Sequence, residues 1–203
     1  MEALLLVDIQ NDFCAGGALA VPDGDAVVAV ANALSPRFER VVATQDFHPA
    51  SHLSFAVNHP GKKVYELTEL DGLPQVLWPP HCVQGTPGAE FHPDLDRRHI
   101  TRVFTKGTDA RIDSYSGFYD NGHRKATGLG DYLKQQGVTD VVLLGLATDY
   151  CVKWTALDAR SLGFGVRVVE DGCRGVALAP DDVPKALAEM RAAGVRLVRS
   201  SEL

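Results

Sequence analysis

Short apolar runs alternate with helix-compatible stretches along most of the chain. Continuously apolar runs are typical of strands buried on both faces of a parallel sheet, whereas half-exposed strands alternate apolar and polar residues. Their regular alternation with helices predicts an α/β fold, a three-layer sandwich around a mostly parallel six-stranded sheet. The predicted strands are residues 4–8, 41–44, 102–106, 141–145, 166–170 and 195–198, and the predicted helices are residues 25–34, 125–136, 150–162 and 182–193.

The size and composition of the chain predict a single domain over residues 1–203. The chain is 45% hydrophobic and 23% charged, and a chain of this length can bury a substantial core. Residues 47–100 interrupt the alternation, because they carry most of the prolines and histidines and show little periodicity. Long irregular connections in compact domains are usually functional. We therefore expect this segment to be an irregular excursion over the site.

The charge of the chain favours small molecules as its partners. The formal net charge is -6 and there is no run rich in Lys or Arg, which argues against nucleic acid or an anionic membrane. Neither a signal-peptide pattern nor an 18-residue apolar span is evident, so we expect a cytoplasmic protein. The four cysteines are scattered and predict reduced thiols. The oligomeric state stays open, and a homo-oligomer is compatible with the sequence.

Reactive residues stand at the ends of four of the predicted strands. Asp8 ends the first run, Asp46 and His48 follow the second, Lys106 ends the third, and Cys151 follows the fourth. Ligands of open parallel sheets bind at the carboxyl ends of the strands, beside the point where the strand order reverses. These residues therefore predict one active site at that edge of the sheet.

The predicted chemistry of this edge is nucleophilic attack by Cys151. A helix start and the Lys106 ammonium would both favour the thiolate, and Asp8 could take the thiol proton and return it to a departing amine. The amide hydrogens of Ala147 and Cys151 could bind the oxyanion. Taken one at a time, the carboxylate could cap a loop, the lysine could face water and the cysteine could fill the core. Their shared location favours catalysis.

A candidate metal site lies in and beside the irregular excursion. Asp46 and His48 face the same side of an extended segment, because alternate residues do so. His81 follows two prolines that restrict the backbone, and it is the best source of a third ligand. One carboxylate with two imidazoles suits one divalent ion, with zinc, iron and manganese as candidates. An Asp-x-His pair by itself is usually an exposed surface feature that binds no metal. His52 is a further candidate ligand.

Three aromatic residues flank these motifs. Phe13, Trp78 and Tyr150 could together bind a flat ring between the metal and the thiol. Ordinary core packing is the alternative interpretation, and it applies least to Trp78, which stands in a loop beside a predicted metal ligand.

The motifs, taken together and in their order along the chain, resemble those of the nicotinamidases within the isochorismatase-like cysteine hydrolases. The segments that carry the resemblance are Leu-Val-Asp-Ile-Gln-Asn-Asp-Phe-Cys at 6–14, Thr-Gln-Asp-Phe-His-Pro at 44–49, Trp-Pro-Pro-His-Cys-Val at 78–83, Lys-Gly at 106–107 with Asp-Ser-Tyr-Ser at 113–116, and Gly-Leu-Ala-Thr-Asp-Tyr-Cys-Val at 145–152 with Asp-Gly-Cys-Arg-Gly at 171–175. Phe47 stands where many members of the family carry Trp.

The resemblance implies a Rossmann-like fold and an amidase activity. It implies a catalytic triad of Asp8, Lys106 and Cys151, and a cis peptide bond between residues 146 and 147. A metal ion would be held by Asp46 together with the two histidines named above. Nicotinamide would be hydrolysed to nicotinate and ammonia through a cysteine thioester, in NAD salvage, and pyrazinamide would be a second substrate.

Three other functions compete with this interpretation. The nearest is another small-amide cysteine hydrolase of the same superfamily, although many of those relatives lack the metal residues. An iron oxygenase could use the same carboxylate and histidines, but such sites usually lie in β-barrels. A non-enzymatic protein that binds a metal or a ligand would predict a broken triad, whereas all three members are present.

Overall fold

The computed structural model describes residues 1–203 as eight strands, four α-helices and several short helical turns. The strands are β1 (Glu2–Val7), β2 (Arg40–Asp46), β3 (Leu67–Leu70), β4 (Leu73–Val76), β5 (Ile100–Lys106), β6 (Asp140–Leu146), β7 (Gly165–Arg174) and β8 (Arg196–Val198). The α-helices are α1 (Ala26–Leu34), α2 (Leu129–Gln135), α3 (Lys153–Ser161) and α4 (Asp182–Ala192).

Six strands form one sheet in the order β5-β2-β1-β6-β7-β8. All neighbouring pairs in this sheet are parallel, which confirms the predicted α/β fold. The order reverses at β1, because β2 extends the sheet on one side and β6 extends it on the other. A crevice forms where connections leave such a point in opposite directions, at the carboxyl ends of the strands. The candidate residues at the ends of β1, β2, β5 and β6 therefore share one edge.

The centre of the sheet is built from the continuous apolar runs. In β1, the five residues Ala3–Val7 are all fully buried, and they pair with strands on both sides. Valine and leucine suit this position because both faces of a central parallel strand are covered. The buried strands belong to one hydrophobic core with α1, α2 and α3. The sheet edge that carries the reactive residues is thus supported by the best packed part of the molecule.

The structure differs from the predicted elements mainly between residues 47 and 100. The antiparallel hairpin of β3 and β4 was not expected there. Its turn is Asp71-Gly72, with φ of 51° and 82°, and an Asp-Gly pair between two strands is a strong hairpin signal. The alternation around it is poor, since Leu67 is exposed. The remainder of the segment consists of irregular chain and short 3-10 turns.

Two helix starts also differ from the predictions. α2 begins at Leu129, after Gly128 with a φ of 90°, and not at residue 125. Cys151 lies in a single π-type turn, Thr148–Val152, which precedes α3. Turns of this type are often found at functional sites. None of the helices combines the length and the apolar character needed to cross a membrane.

Gly145 allows β6 to approach β1 closely at the active-site edge. Its φ is 132°, and a Cβ atom placed there would lie 2.1 Å from the carbonyl oxygen of Val7. That atom belongs to the backbone of the central strand, so it cannot move aside without disturbing the sheet. Gly137 also has a positive φ, 71°, but a Cβ atom there meets nothing within 4 Å.

Gly145→Ala is expected to lower the free energy of unfolding by about 3 kcal/mol or more, because overpacking adds to backbone strain. Gly137→Ala is the matched control and is expected to cost about 1 to 2 kcal/mol, from strain alone. Urea denaturation followed by circular dichroism measures both values. Equal costs for the two variants would contradict the importance of the close approach.

Candidate active site

The structure brings the predicted residues of the four strand ends together. Asp8 directly follows β1, Asp46 and Lys106 are the last residues of β2 and β5, and Cys151 follows β6 within the π-type turn. These four strands are consecutive neighbours in the sheet, so their ends converge. All four side chains are buried.

Lys106 connects the other three residues. Its Nζ lies 2.9 Å from Asp8 Oδ2 and 2.6 Å from Asp46 Oδ1, donates to the carbonyl oxygen of Ser114 at 2.8 Å, and lies 3.4 Å from Cys151 Sγ. Burial alone would lower the pKa of this ammonium, but the two carboxylates raise it well above its usual value. Lys106 therefore carries its charge inside the protein.

Cys151 is a protonated thiol in this arrangement. Burial is the largest effect and raises its pKa well above the usual value; the negative charges of Asp8 and Asp46 also raise it, while Lys106 opposes them. Lys106 does lower the thiol pKa, as the sequence predicts, but burial outweighs this effect and the net shift is upward. The thiol needs a base when it reacts, and not only a nearby cation.

Asp8 is the base placed to receive that proton. Burial raises the pKa of Asp8, although Lys106 opposes this effect, and Thr44 Oγ1 donates to its Oδ1 at 2.6 Å. The residue has a φ of 48°, a left-handed conformation that is uncommon outside glycine. A carboxylate with a raised pKa both accepts and returns a proton more readily at neutral pH.

Asp46, His48 and His81 converge as the sequence predicts. His48 Nε2 and His81 Nε2 lie 3.4 Å and 3.7 Å from Asp46 Oδ2, and all three side chains are buried. The Nδ1 atoms of the histidines lie 2.9 Å and 2.8 Å from the carbonyl oxygens of Gly107 and Pro79. These carbonyls require Nδ1–H, so in the neutral ring, the form that binds metal, each Nε2 presents a lone pair.

This donor set fits a divalent metal ion. Three lone-pair atoms facing one another are unfavourable unless a cation lies between them, and His48 Nε2 has no hydrogen-bond partner. The backbone carbonyls that orient the two histidines are the partners commonly found behind metal-bound imidazoles. Gly107 also leaves room for the His48 ring, since a Cβ atom at residue 107 would lie 2.3 Å from its Cε1.

Gln10 is a contributor that sequence reasoning missed. Its fully buried side chain accepts from the amide of Asp46 and donates to the carbonyl oxygen of Asp46, both at 2.8 Å. These two bonds fix the backbone of the carboxylate ligand. Only the position of Gln10, two residues after Asp8, could have pointed to it.

Two other groups of potential ligands are less suitable. His52 groups with His48 and Asp113, but its Nδ1 already accepts from the amide of Ser54 at 3.0 Å. Cys14, Asp25 and His92 also lie close together. However, both ring nitrogens of His92 already have partners, Asp25 Oδ1 and the amide of residue 94.

The three predicted aromatic residues do line one pocket with the thiol. Phe13 and His81 have ring centroids 5.5 Å apart, and Trp78 meets Tyr150 edge to face at 4.9 Å. The cavity between these side chains is narrow, with a volume of about 20 Å³. The lining residues for which the sequence predicted no role are Leu19, Asp113, Tyr115 and Val176.

The backbone before Cys151 has an unusual conformation. The Leu146–Ala147 peptide bond is cis, as the family resemblance implies. The Ala147 carbonyl accepts from the amides of Tyr150 and Val152. The Ala147 amide donates to no protein acceptor, so it is available to a ligand in the pocket.

Comparisons with known proteins agree with this geometry. The Isochorismatase domain model matches residues 2–202. The nicotinamidase of Escherichia coli is 55% identical over 200 residues, covering 97% of this chain and 93% of the relative.

Solved structures give the same result. A nicotinamidase and pyrazinamidase of Acinetobacter baumannii superposes with a TM-score of 0.97 at 49% identity, covering 99% of this chain and 97% of that one. The pyrazinamidase of Pyrococcus horikoshii in complex with zinc gives a TM-score of 0.79 at 38% identity, covering 98% of each chain. The chain therefore belongs to the isochorismatase family.

Proposed function

We propose that this chain is a nicotinamidase that hydrolyses nicotinamide to nicotinate and ammonia in NAD salvage, and that it also hydrolyses pyrazinamide. The observation that carries the proposal is the position of Lys106, which contacts Asp8, Cys151 and Asp46 at once. A thiol, its base and a metal ligand thus form one buried cluster beside an aromatic pocket. The activities named for the relatives from Escherichia coli and Acinetobacter baumannii support this substrate class.

In the proposed mechanism, Asp8 takes the thiol proton as Cys151 Sγ attacks the carboxamide carbon. The carbonyl oxygen becomes an oxyanion, which the amides of Ala147 and Cys151 stabilise. Asp8 then gives the proton to the nitrogen, and the C–N bond breaks. Ammonia leaves, and the acyl group stays on Cys151 as a thioester. Water, losing a proton to the same carboxylate, attacks the thioester, and nicotinate leaves as the thiol is restored. Lys106 keeps the carboxylates and the sulfur in place throughout.

Asp46, His48 and His81 would hold one divalent ion, for which we propose zinc, with iron and manganese as alternatives. The convergent lone pairs described above support this set, and so does the zinc complex of the Pyrococcus horikoshii pyrazinamidase. When bound, the ion supplies a Lewis-acidic position for the ring nitrogen of the substrate. Phe13 and Trp78, with Tyr150, would bind the faces and edges of that ring.

We also propose that residues 1–203 form a single isochorismatase-like hydrolase domain, in which the excursion at about 47–100 supplies His48, Trp78 and His81 to the site. The net charge of -6 supports small molecules, and not nucleic acid or membranes, as partners. On the basis of the same composition, we propose a cytoplasmic location. The composition is also compatible with a homo-oligomer.

Cys151→Ala is expected to reduce nicotinamide hydrolysis at least about 10⁴-fold, because no other group can form the thioester. Release of ammonia and nicotinate by purified protein is the measurement. Cys173→Ala is the matched control, since Cys173 is also buried but lies in β7, and it is expected to retain activity. No hydrolysis by metal-loaded wild type would reject the nicotinamidase proposal and favour another small amide.

Alkylation of Cys151 by iodoacetamide is expected to become faster up to and beyond about pH 10. An ordinary cysteine would reach its plateau near that pH, but the raised pKa of Cys151 keeps the thiol protonated to higher pH. Mass spectrometry of chelator-treated protein follows the modified residue, and Cys151→Ala identifies its peptide. A plateau below about pH 8 would show a preformed thiolate and contradict the need for Asp8.

His81→Ala is expected to lose bound metal, because it removes one of three ligands. Plasma mass spectrometry after gel filtration should find one equivalent of divalent metal in wild type and much less in the variant. His92→Ala is the control, since it disrupts the separate group of Cys14, Asp25 and His92. This variant should keep one full equivalent of metal. Loss of metal from His92→Ala with retention in His81→Ala would move the site to Cys14 and Asp25.

A further inference from the structure

Tyr115 lines the candidate pocket, and its hydroxyl has both acceptor positions filled. Trp78 Nε1 donates to Tyr115 Oη at 3.2 Å, and Gln75 Nε2 lies 3.1 Å from the same oxygen. A phenol oxygen accepts two hydrogen bonds and donates one. No protein acceptor takes the Tyr115 proton, so this proton is available to a ligand.

The orientation of the Gln75 carboxamide follows from its other neighbours. The same Nε2 lies 2.7 Å from the carbonyl oxygen of Val76 and 3.1 Å from Asp113 Oδ2. Both of these oxygens only accept, so the atom facing them must be the NH₂ group and not the amide oxygen. The NH₂ group has two hydrogens for these three oxygens, so the N–H directed at Asp113 Oδ2 is shared with Tyr115 Oη, and Gln75 cannot accept on this side.

Gln75 contacts the Tyr115 hydroxyl but does not itself line the pocket. It lies on β4 of the hairpin and is only 3% exposed, so water does not compete for its amide. The hydroxyl that it faces belongs to Tyr115, which lines the same pocket as Cys151. A buried donor on the hairpin thus determines the direction of a hydroxyl proton in the pocket.

We propose that Gln75 is a positioning residue, which by donating toward Tyr115 Oη turns the Tyr115 hydroxyl proton into the pocket, where it donates to an acceptor atom of the aromatic carboxamide. This inference rests on the proposed function. The hydroxyl is one polar group in a wall otherwise formed by the rings of Trp78, Tyr115 and Tyr150, which meet edge to face. A hydrogen bond of this kind orients the ring and is lost if the proton turns away.

A purely structural role is the competing explanation, in which Gln75 only fastens the hairpin to the core. A double-mutant cycle separates the two. Gln75→Leu removes the donor. Gln75→Glu keeps the size but, as a buried carboxylic acid, presents an oxygen that accepts the Tyr115 proton, and Tyr115→Phe removes the hydroxyl. Gln135→Leu, at an exposed site on α2, is the matched control.

The expected result is a rise in KM for nicotinamide of about three- to tenfold in each of Gln75→Leu, Gln75→Glu and Tyr115→Phe, with kcat changed less than about twofold. The double variant Gln75→Leu/Tyr115→Phe should be no worse than the worse single variant, because both remove the same hydrogen bond. The control should match wild type. Thermal melting establishes that each variant is folded, and Gln75→Glu and Tyr115→Phe carry the test if Gln75→Leu unfolds.

Unchanged KM in the folded Gln75 variants, or multiplicative effects in the double variant, would overturn the role of Gln75. Absence of hydrolysis by wild type would instead count against the proposed function. In that case the same variants are compared by calorimetric titration with nicotinamide, where Kd replaces KM and the same pattern is expected. Equal Kd values in wild type and Gln75→Glu would then overturn the inference.

Discussion

The burial of the Lys106 ammonium between two carboxylates is the interaction on which the candidate site depends. A buried cation is tolerated only when it is paired and hydrogen-bonded, and Lys106 meets both conditions through Asp8, Asp46 and the carbonyl of Ser114. Because the two carboxylates stand at the ends of β1 and β2, the pairing of Lys106 on β5 depends on the order of these three strands in the sheet. Removing one partner would leave a charge without compensation, so the thiol centre and the metal ligands are linked electrostatically as well as spatially.

Much of this arrangement could be predicted because it follows local patterns. Continuous apolar runs identified all six strands of the main sheet, and the known behaviour of parallel strand ends placed Asp8, Lys106 and Cys151 at one edge. The predicted convergence of Asp46, His48 and His81 rested on the two prolines that restrict the backbone before His81 and on the family resemblance. The structure brings these side chains together. Their catalytic and metal-binding roles stay predictions.

The remainder depends on contacts between distant parts of the chain. The direction of the Cys151 pKa shift is set by burial and by two carboxylates from other strands, which no local pattern contains. Gln75 and Tyr115 are 40 positions apart, and Gln10 and Asp46 are 36 apart. The hairpin of β3 and β4 is the exception, because the Asp71-Gly72 pair was a local signal, obscured by the exposed residues around it.

The small pocket volume has a consequence for which amides can enter. The cavity is narrow, about 20 Å³, and the aromatic side chains of its wall contact one another edge to face. A flat aromatic ring can add edge and face contacts to this wall, whereas a puckered ring of equal volume offers no aromatic edge or face. The aromatic wall thus favours planar amides through contacts that involve none of the reacting atoms.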